Sequence, residues 1–208
     1  LENLSRFEGA GVYYAASFVE TQLCRGDEVV VVGGGNSAGQ AAVFLAQIAR
    51  RVYMLVRSNS LETSMSRYLI RRIENNDAIL FRPQTEIVTL EGKDHLESVY
   101  WRNNQTGQTE KHEIRHIFTM TGADPNTGWL DGCIALDDKG FIKTGPDLLP
   151  NNLSTAGWPL PRQPYLLETS LPGVLAVGDV RSDSIKRVAS AVGEGSNAIS
   201  FVHKILQE

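Results

Sequence analysis

The sequence predicts an α/β fold: a strand–helix–strand core, an antiparallel meander inserted after it, and a second segment of a different character. Three observations predict it. Two apolar runs, Glu28–Val32 and Val52–Val56, flank an alanine-rich stretch with helical spacing. Three short runs between residues 85 and 114 show some alternation, and a polar turn separates the second from the third. The run TGADPNT at 121–127 then breaks the pattern and marks a domain boundary. Composition agrees with a folded chain, since 42% of the 208 residues are hydrophobic and 21% are charged. With 20 Lys+Arg against 24 Asp+Glu, the net charge of −4 argues against a strongly basic nucleic-acid reader.

The elements follow in order. Residues 1–25 carry no strong periodicity. Glu28–Val32 is β-branched throughout after its first residue, the mark of a strand buried on both faces. Gly33-Gly34-Gly35 ends it, and Asn36 or Ser37 can cap the helix that follows. Ala38, Ala41, Ala42, Leu45, Ala46 and Ala49 give that helix its apolar stripe. Val52–Val56 closes a unit at residues 28–57, the size of a βαβ crossover. Residues 64–75 predict a second helix through Met65, Tyr68, Leu69, Arg72 and Ile73, and Ala78–Phe81 a short strand. Thr85–Leu90, Leu96–Arg102 and Glu110–Ile114 read as the meander, and Ile117–Met120 as one more strand. Residues 145–165 are rich in Pro, Gly and Asn and predict an irregular loop. Gly173–Gly178 reads as a third buried strand. The last helix is expected over 186–206, with Val188, Val192, Ile199, Val202 and Ile205 on one side. Gly193 and Gly195 within it suggest close packing against a neighbour.

Cys24 and Cys133 form neither a disulfide framework nor a zinc spacing, so a reducing, cytoplasmic compartment is expected. No apolar run approaches the ~18 residues that span a bilayer. His95, His112, His116 and His203 show no metal-ligand spacing. Arg67, Arg71 and Arg72 read as a solvated helix face. Trp101, Trp129 and Trp158 read as core or loop anchors.

Gly33-Gly34-Gly35-Asn36-Ser37-Ala38 fits G-x-G-x-x-A between a strand and a helix, the phosphate turn of a Rossmann-like unit. Gly33 allows the tight turn, Gly35 lets a pyrophosphate approach the backbone, and Ala38 is small enough for helix to pack on strand. The helix N-terminus offers N–H groups and a positive dipole end to the phosphates. At the end of the second strand an acidic residue would bind the ribose 2′-OH of NAD. Arg57-Ser58 stand there instead, and an arginine favours the 2′-phosphate of NADP. The same stretch spells Gly35-Asn36-Ser37-Ala38-Gly39, a G-x-S-x-G nucleophile elbow, with Asp179 or Asp183 and His203 in hydrolase order. Only 36 residues precede Ser37, too few for the strands and oxyanion loop such a site needs, and His203 lies in a terminal helix.

GVYYAASFVETQLCRGDEVVVVGGGNSAG at 11–39, TGADPNT at 121–127, LDDKGFIKT at 136–144, TSLPGVLAVGDV at 169–180 and KRVASAVGEGS at 186–196 resemble the low-molecular-weight thioredoxin reductases. The resemblance covers nearly the whole chain. It implies an NADPH domain at 26–117 inserted into an FAD domain, of which 118–208 is the C-terminal half. It implies that Asp179 of Gly178-Asp179 bonds the ribityl chain of FAD. It also implies that Lys186-Arg187-Val188 opens a helix facing the flavin ring, and that Gly122 lies among the cofactor-binding residues.

Two departures stand out. Residues 1–25 occupy the place of the family's C-x-x-C region, yet Ala15 and Phe18 stand where the cysteines belong, so no dithiol exchange can run there. Lone Cys24 reads as a buried structural residue. The family's arginine-rich stretch is also only partly present: Arg57 matches its first arginine, while Ser58 and Glu62 replace others, which leaves mixed NAD and NADP use open. The family's N-terminal FAD half has its own G-x-G-x-x-G, and none precedes residue 26, so the chain is expected to be a fragment that binds FAD poorly by itself. The expected activity of the parent protein is hydride transfer from NAD(P)H to FAD and on to an unknown acceptor, a redox protein among the candidates. A homodimer is a further expectation. Two rivals stand beside it: a module that senses NADP(H) or FAD without turnover, and the serine hydrolase built on Ser37.

Overall fold

The computed structural model describes Leu1 and residues 3–208. They divide into two compact units, Leu1–Gly122 and Ala123–Glu208. The first opens with a 3-10 turn at Leu4–Phe7 and continues through β1 (Val12–Tyr13), α1 (Phe18–Leu23), β2 (Glu28–Val32), α2 (Asn36–Leu45) and β3 (Arg51–Val56). Then come α3 (Arg67–Glu74), β4 (Ile79–Pro83), β5 (Thr85–Gly92), β6 (Leu96–Asn103), β7 (Thr109–His112) and β8 (His116–Thr119).

Five strands form a parallel sheet in the order β1-β8-β2-β3-β4, while β5-β6-β7 form a separate antiparallel sheet. The unbroken apolar runs of β2 and β3 are explained by two different partners. Val29, Val31, Val52, Met54 and Val56 pack with the α2 and α3 side chains Ala42, Leu45, Leu69 and Ile73. Val30, Tyr53 and Leu55 point the other way and pack with Leu90, Leu96, Val99 and Trp101 of the meander. The sheet is therefore covered on both faces, as parallel sheets require. Each fully buried Val or Leu is worth roughly 1.5–3 kcal/mol. Residues 1–25, aperiodic in the sequence, contribute β1, which pairs with β8 through Val12↔Ile117 and Tyr13↔Phe118. The division implied at 117/118 falls inside β8, an interior strand; the first unit continues to Gly122, within the TGADPNT run at 121–127.

The second unit is made of 3-10 turns at Gly128–Leu130, Gly145–Asp147 and Gly178–Val180, with α4 (Pro150–Thr155) and α5 (Val188–Ile205). Its buried apolar cluster is small: Leu130, Ile142 and Ala176. Three corrections arise here. The strand expected at 173–178 does not form; Leu175 makes one bridge to Glu168, because the unit offers no longer strand for it to pair with among the described residues. Residues 145–165 are not wholly irregular, since Pro150 stands at the first position of α4, where its fixed φ suits a helix start. The close packing expected at Gly193 and Gly195 is absent, as a Cβ at either would meet nothing within 4 Å. Helix α5 buries no residue, and Val188 is 84% exposed.

The loop after α4 is held by charge. The Arg162 guanidinium donates to both oxygens of the fully buried Glu168 carboxylate, at 2.7 and 3.2 Å, and to Glu208 at 2.6 Å. The N–H groups of Tyr165 and Gly173 complete the Glu168 shell. No described helix is long and apolar enough to cross a membrane.

Candidate functional site

The glycine turn lies where β2 hands the chain to α2. Gly33 has φ +138, and its N–H donates to Leu55 O at 3.1 Å. A Cβ there would stand 2.5 Å from Met120 O and 3.2 Å from the Ala38 Cβ, so the turn fits only between a glycine and a small residue. Ala38 is fully buried beneath it. Gly34 packs beside Val56, and its carbonyl accepts from the Ser64 hydroxyl at 2.8 Å. Gly35 differs: its φ of −87 is ordinary, and a Cβ would meet only Ser64 O, at 4.0 Å. The space above Gly35 is open, as close approach by a ligand demands.

Gly35, not Asn36 or Ser37, is the N-cap of α2, and no side chain caps that first turn. The Asn36 Oδ1 accepts instead from Ser66 N at 2.8 Å, at the N-cap of α3. Asn36 and Ser64 thus brace the loop against the 61–66 segment, two contacts that no periodicity announces. Ser37 is exposed on helical backbone; among the described residues only Gln84 and Asp183 combine a side chain with positive φ. A nucleophile elbow needs a strained serine at the turn itself, so Ser37 lacks its geometry. Arg57 and Ser58 are exposed directly after β3, and Arg57 has no acidic partner among the described residues. The Ser58 hydroxyl donates to Ser60 O, and its carbonyl accepts from Gln84 N. Gly122 is exposed at φ +95 with open space around it.

In the second unit, Gly178-Asp179 form a turn at φ +73 on Gly178. The exposed Asp179 carboxylate has no hydrogen-bond partner among the described residues, while its carbonyl accepts from Lys186 Nζ at 3.0 Å. Lys186 also lies over the Phe141 ring at 4.0 Å. Arg187 is the N-cap of α5 and Val188 its first residue, and no side chain caps that turn. The residues at the place of the family's C-x-x-C have other surroundings. Ala15 and Phe18 are exposed, Ser17 caps α1 in a box with Glu20, Cys24 is buried and Cys133 is exposed. Burial pushes the Cys24 thiol up, with Asp27 adding to the effect, so it is a poor thiolate. No cluster of His, Cys, Asp or Glu among the described residues could hold a metal.

Residues 7–195 match the pyridine nucleotide-disulphide oxidoreductase family. The chain belongs to that family. Among curated proteins it is 32% identical over 184 residues to a thioredoxin reductase of Mycolicibacterium smegmatis, a match covering 88% of this chain and 53% of that protein. It is 30% identical over 185 residues to one from Chlamydia trachomatis, covering 89% and 53%. Among solved structures, Lactococcus lactis thioredoxin reductase in its FR conformation aligns with a TM-score of 0.76 at 25% identity, over 97% of this chain and 60% of that one. The enzyme from T. acidophilum aligns with the same TM-score of 0.76 at 24% identity, over 99% and 60%, and supports the fold. The chain thus spans about half the length of the curated relatives it matches.

As a thioredoxin reductase-like member of this family, the chain has a Rossmann-type α/β fold with the glycine turn at the C-terminal ends of parallel strands. Two further groups escape sequence reasoning. Met120 O, which shapes Gly33, is brought in by the pairing of β8 with β2. Glu194 accepts from Gly178 N at 2.7 Å and from Arg181 Nη2 at 2.6 Å. Its one visible signal is that it is the single acidic residue of α5, set between Gly193 and Gly195.

Proposed function

We propose that this chain is the NAD(P)H-binding unit, together with part of the FAD-binding unit, of a thioredoxin reductase-like flavoprotein oxidoreductase. The observation that carries it is the turn at 33–38: an open backbone at Gly35, a helix N-terminus without a side-chain cap, and Arg57 after β3 with no acidic partner among the described residues. Those groups suit a dinucleotide. The N–H groups of the first turn of α2 would take the pyrophosphate, and Arg57 the 2′-phosphate. In the second unit the unspent Asp179 carboxylate suits a ribityl hydroxyl, since an ionised carboxylate only accepts. The uncapped start of α5 suits negative charge on a reduced ring. FAD, when bound, accepts hydride from the nicotinamide and passes electrons on.

Ala15 and Phe18 cannot form thiolates, so electrons would leave the flavin for a separate acceptor, such as a redox protein. The apolar face of α5, with Val192 67% and Ile199 60% exposed, supports reading the second unit as half of an FAD domain. Anaerobic addition of NADPH to the flavin-loaded full-length protein should bleach the flavin, and NADPH oxidation should be steady once an acceptor is supplied. Absence of both sinks the oxidoreductase reading. The missing thiols favour one alternative, a module that senses nucleotide state without turnover; bleaching without turnover with any acceptor would support it. Stoichiometric flavin in the purified 208-residue chain would show that the chain needs no further segment to hold FAD.

A further inference from the structure

The turn at 178–180 rests on α5. A Cβ on Gly178 would stand 3.2 Å from the Ala191 Cβ, so the turn packs directly against the helix. One helical turn further, Glu194 reaches back. Its Oε2 accepts from Gly178 N at 2.7 Å and from Arg181 Nε at 3.4 Å, and its Oε1 accepts from Arg181 Nη2 at 2.6 Å. Glu194 and Arg181 side chains are each 17% exposed. The far side of the turn is also held: Ile142 N donates to Val180 O at 3.0 Å, Ser182 N to Ile142 O at 2.8 Å, and the Ser182 hydroxyl to Asp137 Oδ2 at 2.8 Å. Asp179 is thus fixed through its neighbours while its own carboxylate stays unspent among the described residues.

A half-buried ion pair is weak evidence of a stabilising role, because desolvation offsets much of its Coulomb gain. The bond to Gly178 N–H is of another kind. It is directional, it satisfies a backbone donor, and it sits next to the residue that would meet the ligand. Gly193 and Gly195 have open space around them, so tight packing does not account for Glu194 at this place.

We infer that Glu194 is the positioning residue of this turn: by holding Gly178 N–H and the Arg181 guanidinium it presents the Asp179 carboxylate, at a fixed backbone, to the polyol chain of a flavin. The inference rests on the assignment of Asp179 to FAD proposed above. Two readouts test it. Peptide-level amide exchange over residues 176–182 of the 208-residue chain reports the turn without flavin. The FAD dissociation constant of the full-length protein reports the consequence, with NADPH affinity as the control for folding. Glu194→Ala should speed exchange at Gly178 and weaken FAD by about tenfold or more, the worth of a hydrogen bond to a charged group. Glu194→Gln keeps an oxygen that can accept from Gly178 and should stay within about threefold of wild type in both. Unchanged exchange and FAD affinity in a folded Glu194→Ala protein overturn the inference. So does equal damage by Glu194→Gln and Glu194→Ala. If the wild-type full-length protein binds no FAD, the Asp179 assignment falls, and exchange alone then decides whether Glu194 holds the turn.

Discussion

Gly33→Ala and Gly35→Val should fail in opposite ways, although the two glycines stand two residues apart. At Gly33 the added Cβ carries two penalties. The backbone is at φ +138, where a side chain costs about 1–3 kcal/mol. The methyl would also stand 2.5 Å from Met120 O. That carbonyl cannot yield easily, because Met120 N is bonded to Val32 O at 2.7 Å and extends the β8 pairing. Overpacking of this kind costs about 1–3 kcal/mol. Together they remove about 2–6 kcal/mol, a large part of the roughly 5–15 kcal/mol that holds a domain folded. At Gly35 the backbone is ordinary and the space open, so Gly35→Val should cost only about 1 kcal/mol, from the poorer N-cap. Urea unfolding followed by circular dichroism measures both, and calorimetric titration with NADPH measures binding. Gly33→Ala should lower the unfolding midpoint sharply. Gly35→Val should keep it and lose NADPH. A Gly33→Ala protein as stable as wild type would refute the account of the turn, and a Gly35→Val protein with unchanged NADPH affinity would show that no ligand uses it.

Arg57→Ala should weaken NADPH by about 10- to 100-fold, the worth of charge-assisted bonds to phosphate, and NADH by less than about threefold; equal losses in titrations remove the 2′-phosphate role. Glu168→Gln should lower stability toward the lower end of about 3–5 kcal/mol, since Arg162 keeps Glu208 as a partner. Burial alone would raise the Glu168 carboxyl, but Arg162 and the N–H groups of Gly173 and Tyr165 outweigh it and hold it below its usual 4.5. Its contribution is therefore full above pH 4.5 and lost as pH falls through the lower folded value, so the gap between wild type and Glu168→Gln in urea melts should close in acid. His116 titrates below its ordinary 6.5 because burial disfavours its charge, with Asp27 at 3.3 Å opposing only in part. Its neutral form is favoured in the fold, so stability should decline as pH drops below 6.5, and His116→Gln should flatten that slope in melts between pH 8 and 5.

The order and kind of the β2–α2–β3 elements were legible, although α2 stops at Leu45, short of the Ala46 and Ala49 of the expected stripe. β-branched runs, a glycine turn and an alanine stripe are local signals, and here the tertiary structure agrees with them. The reason for the unbroken runs was legible only as burial; that Val30 meets a meander while Val29 and Val31 meet helices is a long-range fact. Val12–Tyr13 escaped for the same reason, since a two-residue strand exists only through β8, more than a hundred residues away in sequence. The run at 173–178 misled because apolarity signals burial but not a hydrogen-bonding partner. At the site, glycines and Arg57 could be picked from spacing. The bracing by Ser64, Asn36, Met120 and Glu194 could not, because each acts across a loop or between elements.

The absence of any buried side chain on α5 bears on how the chain breathes. The first unit has two extensive apolar clusters on either face of its sheet, whereas the second has one buried cluster of three apolar residues and a long helix that contributes none. Opening free energies follow local burial, so amides of β2, β3 and β8 should exchange near the global unfolding limit while those of α5 exchange through far cheaper local openings. Anything that binds only the closed form of the second unit would then raise its protection by mass action and leave the sheet's unchanged. Protection along α5 is thus a reporter of occupancy, readable without knowing the acceptor or measuring a single turnover.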